Sequence, residues 1–106
     1  MTVLDELRAE LRVFAEARDW LMFHDPKNLA MAIASEAGEL LAEFRWLSPA
    51  EADPAALSQE RLAAVRSEMA DVLIFLIRMA DVLNVDLVEA VRSKSRINEE
   101  RFPAPS

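Results

Sequence analysis

Apolar residues recur every three to four positions through most of this chain, the period of helices with one buried face. No stretch alternates apolar and polar residues as a half-buried strand does. The pattern predicts four helices. The first covers about 2–18, with Thr2 as N-cap, Asp5 at the capping-box position, and a stripe of Leu4, Leu7, Leu11 and Phe14. Asp25-Pro26 reads as an N-cap followed by proline at the first helical position, opening a second helix over about 26–47 that Ser48-Pro49 stops. A proline-containing connection leads to Ser58, which caps a third helix over about 58–83. Asn84-Val85 is a turn, and Asp86 with Glu89 forms an acidic capping box for a fourth helix over about 86–98. The expected fold is all-α, a four-helix bundle-like protomer in a single domain over 1–106, with 99–106 a tail.

The third helix is apolar on nearly every side from Met69 to Leu83, interrupted by Asp71, Arg78 and Asp81. Three other helices of one small protomer can hardly cover it. A homo-oligomer with this helix central is therefore expected.

Composition narrows the class. One glycine in 106 residues suits helices, and the lack of cysteine removes disulfides, zinc ribbons and thiol catalysis. The amino terminus lacks the regions of a signal peptide, and the longest apolar run, Val72 to Ile77, is too short to span a bilayer. A cytoplasmic protein is expected. The net charge of −7 argues against a nucleic acid polymer or an anionic membrane as partner. A polyanionic substrate would need metal ions between it and so acidic a chain.

The chemistry is carried by two acidic pairs, Glu36-Ala-Gly-Glu39 and Glu68-Met-Ala-Asp71. Residues three apart share a helix face, so each pair presents two carboxylates together. Solvated surface charge is the ordinary fate of a glutamate. Here, however, Glu36 and Glu39 are embedded among alanines, Ile33 and Leu40-Leu41, and Asp71 has no lysine or arginine three or four positions away. Unpaired acids in apolar surroundings call for a cation, and facing pairs make an oxygen cage suited to Mg²⁺. Gly38, between the two glutamates, leaves room for a ligand or for a second helix. Trp20, His24, Trp46 and Phe75 flank these segments, either as core or as flat rings that could sandwich a nucleobase. Lys94 and Asn98 lie in a basic stretch that, taken alone, is a favourable set of cations at a helix C-terminus.

Glu-x-x-Glu, a spacer of about 28 residues and Glu-x-x-Asp resemble the signature of the MazG-like all-α nucleoside triphosphate pyrophosphohydrolases. Arg18-Asp19-Trp20, His24, Pro26, Asn28-Leu29, Gly38-Glu39-Leu40, Trp46, Asp71-Val72-Leu73-Ile74, Lys94 and Asn98 extend the resemblance to the dCTP pyrophosphatase branch, over nearly the whole chain. The resemblance implies hydrolysis of dCTP or modified dCTP to the monophosphate and pyrophosphate. It also implies Mg²⁺ held by Glu36, Glu39, Glu68 and Asp71, and nucleotide contacts from Trp20, His24, Trp46, Phe75, Lys94 and Asn98. A homotetramer with sites between subunits is implied, a dimer being the alternative. Phe75 departs from the tyrosine of better-known eukaryotic members. The alternatives are a dUTP or broad-specificity enzyme of the same superfamily, or a non-enzymatic helical oligomerisation module. A di-iron bundle needs Glu-x-x-His motifs that a chain with one histidine lacks.

Overall fold

A computed structural model describes residues 2–105, so the outer ends of the expected domain and tail, Met1 and Ser106, lie outside the described residues. Four α-helices follow one another: α1 Val3–Glu16, α2 Pro26–Ala42, α3 Gln59–Leu83 and α4 Leu87–Arg101. A single 3-10 turn, Leu21–Phe23, lies between α1 and α2, and no strand occurs among the described residues. The all-α class is as expected.

The caps follow from local chemistry. The Thr2 hydroxyl accepts from Asp5 N while the Asp5 carboxylate accepts from Thr2 N, which satisfies orphan donors at both ends of the box. Asp25 accepts from Asn28 N at 2.8 Å and Ser58 from Arg61 N at 3.1 Å. At α4 only half of the expected box forms: Asp86 accepts from Glu89 N, and the Glu89 side chain does not return the bond to Asp86. Replacing Ser58 by alanine should cost about 1 kcal/mol. A denaturant midpoint unchanged in Ser58→Ala would show that tertiary packing alone holds the start of α3.

The ends of α1 and α2 come earlier than expected, the first for a local reason and the second for a tertiary one. α1 stops at Glu16, because Trp20 N donates to Ala15 O at 3.0 Å and Asp19 N to Glu16 O at 3.1 Å. This is a Schellman closure with Asp19 in the left-handed region, φ 56°, which aspartate tolerates better than most residues. It also sets Trp20 edge-on against Phe14, ring centres 5.7 Å apart. α2 stops at Ala42 rather than near Leu47. The Arg61 guanidinium donates to the Glu43 carbonyl, and the next amides turn back to Leu40 and Leu41 in tighter bonds. That carbonyl is claimed by a residue 18 positions away, which no local pattern reveals.

α2 and α3 form the main packed pair, and they run antiparallel: Glu43 faces Arg61, and Glu36 faces Glu68. α1 lies across α3, held by Arg8 and Arg12 on Asp81. No residue of α4 is buried, and it runs three residues past its expected end to Arg101. Between α4, α1 and α3 lies an open apolar groove of about 390 Å³, lined by Leu4, Leu73, Leu76, Leu87, Val88 and Val91. The radius of gyration is 16.9 Å, whereas a compact chain of this length would have about 13 Å. Among the described residues only Ala15, Leu29, Val65, Ile77 and Ala80 form a buried apolar core. Met69, Leu73, Leu76 and Leu83 of α3 remain open to solvent within the protomer.

Candidate functional site

One stripe of α3 carries Glu68, Asp71, Phe75 and Arg78, spaced three, four and three residues apart, and its Glu68–Asp71 end faces α2. Across from it α2 supplies Glu36. One carboxylate oxygen each from Glu36, Glu68 and Asp71 lie within 4.8 Å of one another, all on half-buried residues. Three negative groups so close repel unless a proton or a cation intervenes. Glu68 shows the strain most clearly. Its Oε2 is sealed from solvent and has no hydrogen-bond partner. Burial raises its pKa above the ordinary carboxylate value, and the neighbouring carboxylates of Glu36, Asp71 and Glu39 push it in the same direction. A buried acceptor without a donor, facing two further carboxylates, fits a hard cation such as Mg²⁺.

Glu39 stands apart from that trio. It is exposed, at the rim, near enough for its charge to act on Glu68 yet outside the group of converging oxygens. Beside it, Gly38 has nothing within 4 Å of where a Cβ would stand. No helix of this protomer uses the space. Of the two explanations for this glycine, close helix packing finds no support within a single chain.

One turn along α3 from Asp71, the stripe enters a hollow of about 330 Å³ between α1, the 3-10 segment and α3. Trp20, His24 and Phe75 line it together with Leu11, Phe14 and Ile74, and Arg78 lies at its inner wall. Three of the six residues expected around a nucleotide thus share one apolar hollow beside the carboxylates. The other three do not reach it. Trp46 is 86% exposed beyond the end of α2, and Lys94 and Asn98 are exposed on α4, which stands away from α2. The early end of α2 and the outward course of α4 account for both displacements.

Arg78 had drawn no functional expectation. It is the one buried charged residue among the described residues, its Nε 3.0 Å from His24 Nδ1 and its Nη1 2.7 Å from Asp81 Oδ2. Asp81 also accepts from Arg8 and Arg12. Arg12 foremost, then Arg8 and Arg78, hold its carboxyl well below the usual carboxylate range against the opposing effect of burial. The signal in the sequence was an arginine and an aspartate three apart within an apolar run, read there only as an interruption.

Glu68→Gln removes the charge that the fold shelters without a partner. The cation-free variant should melt at a higher temperature than the wild type, and Mg²⁺ should no longer stabilise it. Calorimetry with and without Mg²⁺ tests this; equal Mg²⁺ stabilisation of both proteins would exclude Glu68 as a ligand.

No family model matches the sequence. Among curated proteins, dCTP pyrophosphatase 1 of Rattus norvegicus is 43% identical over 100 residues, covering 94% of this chain and 59% of that protein. Human dCTP pyrophosphatase 1 is 43% identical over 101 residues, covering 95% of this chain and again 59% of the relative. The chain therefore spans under two thirds of the length of these relatives. The crystal structure of a pyrophosphatase from Archaeoglobus fulgidus superposes with a TM-score of 0.89 at 38% identity, over 98% of this chain and 95% of that one.

Proposed function

The chain belongs to the MazG-like all-α pyrophosphohydrolase superfamily, in the branch of the dCTP pyrophosphatases, and from that premise we propose that it is a Mg²⁺-dependent hydrolase of dCTP or modified dCTP. The reaction is cleavage between the α- and β-phosphates, giving the monophosphate and pyrophosphate. The observation that carries this reading is the convergence of Glu36, Glu68 and Asp71 around the unpartnered Glu68 oxygen, next to an aromatic-lined hollow.

In this reading Glu36, Glu68 and Asp71 hold the cation, and Glu39 is either a further ligand or the carboxylate that orients the attacking water. The exposed rim position of Glu39, outside the trio, favours the second role, because an unligated carboxylate keeps a lone pair free to take a proton. Bound there, Mg²⁺ neutralises the triphosphate, polarises the attacked phosphorus and lowers the pKa of water. Trp20 and Phe75 offer flat apolar faces to the base, and His24 a polar edge. With no hydroxyl at Phe75, the wall contributed by that ring is wholly apolar, which suits a base carrying a 5-methyl group.

The proposed assembly is a homotetramer, with a dimer as the alternative. It rests on the open apolar surface of α3, the extended shape of the protomer, and three candidate nucleotide ligands that reach no site in their own chain. In such an assembly Trp46, Lys94 and Asn98 would complete the site of a neighbouring copy, and α3 would be covered. No described helix is long and apolar enough to cross a membrane. The role proposed is cytoplasmic, clearing unwanted deoxynucleotides from the precursor pool.

Pyrophosphate release from canonical and 5-modified deoxynucleoside triphosphates, with and without Mg²⁺, tests the reading. Mg²⁺-dependent turnover of dCTP or its 5-modified forms is expected. Turnover confined to dUTP or spread over all bases would keep the chemistry and change the branch. No turnover by a folded protein would leave the oligomerisation module.

A further inference from the structure

His24 is the only histidine of the chain, and half of its ring is already committed. Arginine Nε always carries its hydrogen and has no acceptor capacity. The 3.0 Å contact from Arg78 Nε to His24 Nδ1 therefore makes Nδ1 the acceptor, and in the neutral ring the hydrogen must sit on Nε2. Nε2 makes no hydrogen bond among the described residues, and the ring lines the hollow with Trp20 and Phe75. Arg78 itself cannot swing away freely. It is 3% exposed, and Asp81 grips its other side while Arg8 and Arg12 grip Asp81 from α1.

We propose that Arg78 is a positioning residue, whose Nε–H locks His24 as the Nε2–H tautomer so that the hollow presents a neutral hydrogen-bond donor to an acceptor atom on its ligand. That the ligand is a nucleotide rests on the function proposed above; the tautomer does not. The charged groups around the ring agree. From α3 it faces Arg78, whose charge opposes a second proton, with Asp81 behind it. From α1 come Arg8 and Arg12, both engaged by Asp81. On its own loop Asp25 is occupied in capping α2. Burial, and then the Arg78 charge, hold the His24 pKa below its ordinary value, which favours the neutral ring. A neutral donor suits a carbonyl or ring-nitrogen acceptor, where a charged imidazolium would favour any passing phosphate.

Long-range ¹H–¹⁵N spectra of labelled full-length protein read this directly, since one imidazole gives one pair of nitrogen signals. The wild type should show an unprotonated Nδ1 and a protonated Nε2 at neutral pH. Arg78→Met removes the donor and should give mixed tautomers and a higher titration midpoint. Arg78→Gln places an amide N–H where the Arg78 Nε stood, and should restore the single tautomer without the charge. In pyrophosphate release from dCTP, Arg78→Met should raise KM about tenfold, the worth of one hydrogen bond, with kcat little changed, and Arg78→Gln should recover most of it. A wild-type ring protonated on Nδ1 would overturn the proposal without any variant. So would variants that fold, by circular dichroism, yet behave alike in tautomer and KM, since that would mean Arg78 serves the fold alone. If the wild type hydrolyses no triphosphate but shows the expected tautomers, the nucleotide reading fails and the locked histidine stands.

Discussion

Asp71→Asn should lower kcat by about 10³-fold at saturating Mg²⁺ while leaving the far-ultraviolet helical signal intact. The substitution keeps shape and changes one charge, on a residue whose oxygen is within 4.8 Å of those of Glu36 and Glu68. With a neutral amide in the trio, two carboxylates remain to hold a divalent cation against hydration, and Mg²⁺ dehydrates reluctantly. Mg²⁺ binding, followed by calorimetry, should weaken in parallel. Glu39→Gln gives the informative contrast. It should also lose activity, by about 10²- to 10⁴-fold, yet keep its Mg²⁺ affinity if Glu39 serves the water and not the metal. Near-native turnover in Asp71→Asn would refute the metal cage; parallel loss of Mg²⁺ binding in Glu39→Gln would make Glu39 a fourth ligand.

Asp81→Asn should destabilise the fold by about 3 kcal/mol or more, the usual consequence of leaving a buried charge without its partner. Asp81 is the shared counter-charge of Arg8, Arg12 and Arg78, and Arg78 is buried. Without it three guanidinium groups face one another between α1 and α3. The pH dependence has a definite sign. Arg12, Arg8 and Arg78 depress the Asp81 pKa in the folded state, so its contribution is fully present above the unfolded value of about 3.9. It fades as pH falls below that value toward the folded one. The stability difference between wild type and Asp81→Asn should therefore be constant through neutral pH and shrink only in strong acid. Denaturant midpoints at several pH values measure it. A difference that grew on acidification would show that Asp81 is not held as a carboxylate by these arginines.

These two aspartates, both on α3, mark how far the sequence can be read. Asp71 was identifiable because no basic residue stands three or four positions away, which leaves its charge to be answered from outside the helix. Asp81 has Arg78 within its own helix, and that local pair conceals the two arginines of α1 that complete the cluster. Glu39 matched the same i,i+3 spacing as the other acids. Spacing alone could not show that Glu36 turns toward Glu68 and Asp71 while Glu39 stays at the rim. Thr2, Asp25, Ser58 and Asp86 were readable as caps because capping is settled within three residues.

What the sequence determined by itself is therefore what short-range physics governs: helical periodicity, the starts of all four helices, the carboxylate pairs, and an apolar third helix that one protomer leaves uncovered. What only the tertiary structure decided depends on groups far apart in the chain. Arg61 ends α2 early by taking the Glu43 carbonyl. Arg78 reaches across 54 positions to His24, and α4 turns away with Lys94 and Asn98. The reason is the range of the interactions. A cap or a helical stripe is closed by neighbours a few residues apart, whereas a buried charge takes whichever partner the folded chain brings within about 3 Å.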